Sequence, residues 1–184
     1  MIIGIINVAT TGFLNSGGKI VEIGIALLDT DTGLVEEGYS AICKDPRLTR
    51  ADRNAWIFDN SDLTIDCVRK GLPLSELKEE IDSVLSACDA VTAYNKSFHL
   101  DFLRSYGFKF RREWPCPMIV ATDLCKIGPT RGFGITKEYK YPRMEEVWGY
   151  FFPDKPCDLT HRPLHDVMLQ GEVVFKLFEL GLIQ

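Results

Sequence analysis

The sequence predicts an α/β fold: a mixed β-sheet in which three antiparallel strands are followed by parallel ones, with helices on both faces. Three observations predict it. Three apolar, isoleucine-rich segments come first and are joined by a short polar turn. Helical periodicity starts only after Pro73. From there, candidate strands and helices alternate.

Residues 2–8 are apolar, closed by Thr10-Thr11-Gly12, and too short for an uncapped helix, so they read as a buried central strand. Residues 19–28 and 36–42 continue in the same style, and the intervening Asp29-Thr30-Asp31-Thr32-Gly33 suits a hairpin turn. Residues 44–61 are polar, contain Pro46 and show little periodicity, which predicts a long surface connection. Over residues 73–87, Leu74, Leu77, Ile81, Val84 and Leu85 recur at helical spacing. Residues 90–93 form a candidate short strand. Residues 97–106 form a helix with Phe98, Phe102 and Tyr106 on one stripe, stopped by Gly107. A further strand at 118–121 and a helix around 144–151 follow. A last helix opens at Pro163 and buries Leu164, Val167, Met168, Val174, Phe175 and Phe178.

With 184 residues, 46% of them apolar and 26% charged, the chain reads as one domain over residues 1–184. No apolar run reaches the roughly 18 residues a membrane helix needs, and the apolar start lacks a basic leader, so a soluble, cytoplasmic protein with no membrane partner is expected. The six cysteines are scattered without a Cys-x-x-Cys pair and read as buried free thiols. Asn95-Lys96-Ser97 fits a glycosylation pattern, but without an export signal the match is accidental. A formal charge of −5 argues against a general nucleic-acid coating surface, yet is compatible with a nuclease whose cleft is acidic and whose rim is locally basic. The basic run Lys109, Arg111 and Arg112 reads equally as such a rim or as a solvated turn. Arg131-Gly132-Phe133-Gly134 lacks a preceding strand and the Lys-Ser/Thr of a phosphate loop, and reads as a plain loop.

Three separated motifs carry a more specific signal. The first is Ile5-Ile6-Asn7-Val8-Ala9-Thr10-Thr11-Gly12, followed by Ile20-Val21-Glu22-Ile23-Gly24. The second is Asn95-Lys96-Ser97-Phe98-His99-Leu100-Asp101-Phe102-Leu103. The third is His161-Arg162-Pro163-Leu164-His165-Asp166, and Tyr139-Lys140-Tyr141-Pro142-Arg143-Met144 stands before it. In order and spacing this set resembles the DEDD-type 3′–5′ exonucleases of the histidine subclass (DEDDh, DnaQ-like), members of the ribonuclease H-like superfamily.

The resemblance implies a ribonuclease H-like fold and action on the 3′ end of single-stranded DNA or RNA, or on a nucleotide. It further implies two-metal hydrolysis with magnesium or manganese, in which carboxylates hold two ions against the attacking and leaving oxygens. Carried over by position, His161 is the general base and Asp166 a metal ligand, while Thr10, Thr11, Gly12, Asn95 and Phe98 hold the terminal nucleotide. Three acids of the pattern are replaced, by Asn7, Ala9 and His99. Asn7 offers only a neutral carbonyl and Ala9 nothing, while the His99 imidazole suits zinc, nickel, copper or iron better than magnesium. Asp101 lies about 200° around the helix from His99 and cannot substitute. The expectation is therefore an exonuclease-type domain with metal bound weakly or not at all, and hydrolysis impaired. Three alternatives stay open: an active exonuclease with manganese or unseen ligands, a transition-metal site using His99, His161 and His165 with Asp166 and Asn7 as further ligands, and a non-catalytic nucleic-acid or protein-binding module. Trp148, within an apolar stripe, reads as core, and Trp56 as a candidate for stacking on a base.

Overall fold

A computed structural model describes residues 1–128 and 138–184. Arg131 to Gly134 lie outside the described residues. Strands β1 (Ile2–Thr10), β2 (Ile20–Asp29) and β3 (Val35–Lys44) run antiparallel in succession. At the β2–β3 turn the Asp29 carboxylate accepts the Asp31 backbone N–H at 2.9 Å and the Thr32 hydroxyl at 3.0 Å, and Gly33 supplies the positive φ of 76°. The short β4 (Leu72–Pro73) joins β3 in parallel, and β5 (Ala90–Thr92) joins β1 in parallel, giving the order β4-β3-β2-β1-β5. The mixed sheet expected from the sequence is thus present, with β2 at its centre and β1 paired on both sides between β2 and β5.

Alternation along β1 sends its side chains to two cores. Ile3 and Ile5 pack with Val167, Val174 and Leu177 of α7 (Pro163–Glu179) and with Val147 and Trp148 of α6 (Met144–Phe151). Ile6 and Val8 pack on the opposite face with Ile81 and Leu85 of α3 (Leu74–Ser86) and Leu100 and Phe102 of α4 (Lys96–Ser105). Trp148 is buried, as its stripe predicts.

α7 lies close on the sheet because glycines clear its path. A Cβ on Gly24 would stand 2.3 Å from the Leu164 backbone nitrogen, and one on Gly171 would stand 2.6 Å from Val35. Gly24→Ala is expected to cost about 3 kcal/mol, because the obstacle is backbone and cannot rotate away. Urea and thermal melts check this, and a variant as stable as the parent would mean that the start of α7 can lift off the sheet.

Four expectations need correction. Residues 118–121 form part of a helix, α5 (Pro117–Cys125), with Pro117 in its first turn. A short apolar run does not distinguish a strand from a buried helix, and here only one side of it meets the core: Ala121 is buried and Ile119 exposed. Among the described residues the sheet continues past β5 only as the isolated bridge Val91↔Glu113. The connection over residues 44–61 is not plain coil. It holds a 3-10 turn at Ala51–Asn54 and α1 (Trp56–Asn60), and α2 (Ile65–Lys70) follows. Ile57, Leu63 and Val68 of this segment cover Ala9 and Val21 as a third small core.

The buried face of α7 is turned toward Val167, Gln170, Gly171, Val174 and Leu177, leaving Leu164, Met168, Phe175 and Phe178 half-buried at its flanks. The close approach at Gly171 sets that rotation. All six cysteines are free, but only Cys43, Cys88 and Cys116 are buried; Cys125 and Cys157 are half-buried and Cys67, on α2, is exposed. Lys109, Arg111 and Arg112 are exposed in the segment between α4 and α5. Among the described residues no helix is long and apolar enough to cross a membrane.

Candidate functional site

The three motifs meet where β1 ends. Asn7 faces Gly24 in the β1–β2 register and Ala9 faces Glu22. Gly24 in turn backs onto Leu164, so the start of α7, with His161 and Asp166, crosses the sheet beside Asn7 and Ala9. α4 enters from the other side. Its first residues follow Asn95, whose left-handed backbone (φ 63°, ψ 54°) turns the chain sharply out of the sheet; asparagine tolerates this better than most residues.

His99 lies against β1. Its Nδ1 accepts the Val8 backbone N–H at 3.1 Å, in the stretch of β1 that the short β5 leaves unpaired. Burial pushes the His99 pKa down to about 4, so the ring is neutral at physiological pH. Asp166 is buried as well. One carboxylate oxygen accepts the Thr160 N–H at 3.1 Å and lies 3.7 Å from His165 Nδ1. Burial raises the Asp166 pKa, against the Thr160 N–H and the nearby His161 and His165. His161 holds a left-handed backbone, φ 58°, which is strained for a residue with a Cβ, and its ring meets Trp56 edge-on with centroids 4.9 Å apart. Trp56 is exposed on its outer side, so the expected stacking residue stands beside the expected base.

Glu22 is the acid nearest in register to the missing one, and it is already engaged. Its carboxylate accepts Arg162 Nε at 2.8 Å and Nη2 at 2.7 Å, a two-point clasp. The third arm of the guanidinium, Nη1, donates to Asp62 at 2.6 Å. Glu22 holds the Arg162 pKa above its already high ordinary value. Arg162 was not singled out by sequence reasoning. The available signal was its place directly after His161 with a free acid on the facing strand.

These residues do not fit the two-metal centre that the resemblance implies. Asn7 brings no charge and Ala9 no donor atom. The Nδ1 lone pair of His99 is taken by backbone, Asp166 is one partly engaged carboxylate, and Glu22 is neutralised by an internal cation. Among the described residues no group of three or more His, Cys, Asp or Glu side chains is placed to hold a metal ion.

Next to this centre a groove of about 600 Å³ is lined by Phe13, Leu14, Asn15, Asn95, Ser97, Phe98 and Phe102, with the Asp101 carboxylate also on its wall. It brings Asn95 and Phe98 together and adds Phe13 and Leu14, which sequence reasoning did not single out. Phe13 is 69% exposed, with its ring at 88° to Phe98 and centroids 6.2 Å apart. Thr10 and Thr11 do not line the groove and are engaged in the turn before Phe13: the Thr10 hydroxyl donates to the Gly12 carbonyl at 2.8 Å, and Thr11 Oγ1 accepts the Lys19 N–H at 3.1 Å.

No protein-family model matches the chain, and none of the curated proteins matches it. Solved structures do. Cell-death related nuclease 4 (CRN-4) superposes with a TM-score of 0.68 at 13% identity over 98% of this chain and 64% of the other. The nuclease domain of 3′hExo, a DEDDh family member bound to rAMP, superposes with a TM-score of 0.66 at 12% identity over 98% and 92% of the two chains. A 3′-exonuclease in 3′-end-specific recognition of a histone mRNA stem-loop superposes with a TM-score of 0.55 at 13% identity over 98% and 82%. The chain spans 64% of the first of these and 61% of a full-length 3′-exonuclease that it also matches. At such identities the likeness establishes the fold: this chain has the ribonuclease H-like fold of the DEDDh 3′-exonucleases.

Proposed function

We propose that this domain binds the 3′ end of a single nucleic-acid strand, DNA or RNA, and that metal-dependent hydrolysis of that strand is impaired. One observation carries the reading: an open groove with an aromatic lip lies beside a centre whose donor atoms do not suit two divalent ions. The fold neighbours support it, since one of them holds rAMP and another recognises an RNA 3′ end. Phe13 and Phe98 offer a base a stacking surface that works for every base, because each has a π-face. Asn95 offers an amide for hydrogen bonding, and the turn at Thr10 to Gly12 leads directly into Phe13.

The test uses 5′-labelled single-stranded DNA and RNA, incubated with magnesium and then with manganese, beside a His161→Ala control. No shortening is expected, while affinity persists in chelator and falls steeply with salt. Progressive shortening that disappears in the control would establish an active exonuclease and overturn the impaired-hydrolysis reading. Absence of any strand binding would overturn the nucleic-acid reading and favour a protein-interaction role.

Two variants sharpen the test. Phe13→Ala should weaken strand binding about five-fold or more, the effect of losing one base–aromatic stack, with no change in melting temperature because the ring is exposed. Asn7→Asp, Ala9→Glu and His99→Asp together restore the acids of the pattern. That variant should melt lower than the parent in chelator, because crowded carboxylates repel, and recover on adding magnesium. A melting temperature indifferent to magnesium would count against the positional assignment of these three residues.

A further inference from the structure

On the β3 side of Arg162 a second cavity, of about 560 Å³, opens between the sheet and the start of α7. Glu22, Ser40, Asp62, Thr160, Arg162 and His165 line it. Its chemistry differs from that of the aromatic groove: one guanidinium, two exposed hydroxyl-bearing residues and a half-exposed imidazole converge on it. The Ser40 side chain makes no hydrogen bond within the protein among the described residues.

Arg162 is held unequally on its two sides. Toward the sheet, Nε and Nη2 are clasped by Glu22, whose side chain is 3% exposed. That clasp fixes the plane and direction of the guanidinium. On the open side, Nη1 is met by Asp62, whose side chain is 81% exposed. An exposed carboxylate on one guanidinium nitrogen is a weak, solvent-screened partner, easily exchanged for another anion. A phosphate carries more charge and more acceptor oxygens, and it can add hydrogen bonds from Ser40, Thr160 and His165 that Asp62 does not use.

We propose that Arg162 is the seat of a phosphate group, and that the Asp62 carboxylate occupies this seat until a phosphorylated ligand displaces it. The buried Glu22 keeps the guanidinium aimed whether the outer partner is Asp62 or phosphate. The exchange involves no covalent step and no metal. The site rests on its own geometry, while assigning the phosphate to the end of a nucleic-acid strand rests on the function proposed above. The phosphate has two possible sources, the terminus of a strand or free inorganic phosphate.

The experiment compares short 5′-fluorescein single strands ending in a 3′-hydroxyl or a 3′-phosphate, by anisotropy in chelator, with calorimetric titration of inorganic phosphate alongside. The phosphate-ended strand is expected to bind more tightly than the hydroxyl-ended one. Asp62→Asn, at an exposed position, should tighten binding of the phosphate-ended strand and of inorganic phosphate roughly three- to ten-fold, and by more than it tightens the hydroxyl-ended strand. Because Arg162→Gln alone strands a buried carboxylate, the second variant is Glu22→Gln with Arg162→Gln, which keeps hydrogen-bonding groups without charge and should abolish the preference for phosphate.

Inorganic phosphate binding that depends on Asp62 and Arg162, with no strand binding, would support the site while overturning the 3′-end reading. Strand binding that ignores the terminal phosphate, with inorganic phosphate indifferent to Asp62→Asn, would overturn the site and leave the 3′-end reading standing.

Discussion

Arg162→Leu is expected to lower the stability of the fold by about 3 kcal/mol, the cost of leaving a buried carboxylate without its cation. The Glu22 side chain is 3% exposed, and both of its oxygens are met by Arg162. Removing the guanidinium leaves the buried carboxylate without its partner, which costs free energy relative to the unfolded chain. For a domain of this size the change corresponds to a fall in melting temperature of roughly 6–12 °C. The double variant Glu22→Gln with Arg162→Leu should recover most of it, to within about 1 kcal/mol of the parent, because a buried ion pair adds little net stability once its own desolvation is counted. Urea melts of the parent, single and double variants form the needed cycle. A single variant that melts with the parent would mean that water serves Glu22 and that the clasp does not hold the start of α7.

The legible part of the fold was the part with a period. β1, β2 and β3 alternate or run apolar between turn residues, and α3 repeats its leucines and isoleucines at helical spacing, so each lies within a few residues of its expected place. The parts that misled were short. Residues 118–121 are too few to show whether their period is two or nearly four, and only the contact of Ala121 with the core, set by α6 and α7, decides for helix. α1 and α2 have 5 and 6 residues and are held by their contact with Ala9 and Val21 rather than by their own patterns.

The candidate site divides in the same way. Motif order brought β1, α4 and α7 to one place, because residues that pack together through a fold also recur in order along the chain. The Arg162 clasp depends on Gly24 letting α7 approach β2, a long-range fact with no local signature. Phe13 stood in plain view after Thr10-Thr11-Gly12, but an exposed phenylalanine becomes informative only when Phe98 is seen facing it.

Acidification should expose the other buried group of the site. The His99 pKa falls from its ordinary 6.5 to about 4 because burial penalises the charged ring. The sign follows from proton uptake. Above pH 6.5 neither the folded nor the unfolded chain protonates this imidazole, so the stability of the buried neutral form is fully present. Between about 6.5 and about 4 the unfolded chain takes up a proton that the folded one refuses, so stability falls as pH falls, by about 3 kcal/mol across the window.

The Val8 N–H reinforces this, since it needs an unprotonated Nδ1 to donate to. Asp166 works in the opposite direction: its raised pKa means that the folded chain accepts a proton more readily than the unfolded one as pH drops through the carboxylate range, which offsets part of the loss. His99→Asn separates the two, because an amide oxygen can accept the Val8 N–H and does not titrate. Unfolding free energies measured in urea from neutral pH to about pH 4 should therefore fall steeply for the parent and less for the variant. Parallel profiles would mean that the ring reaches solvent and titrates normally, and that β1 beside the site opens more readily than its burial implies.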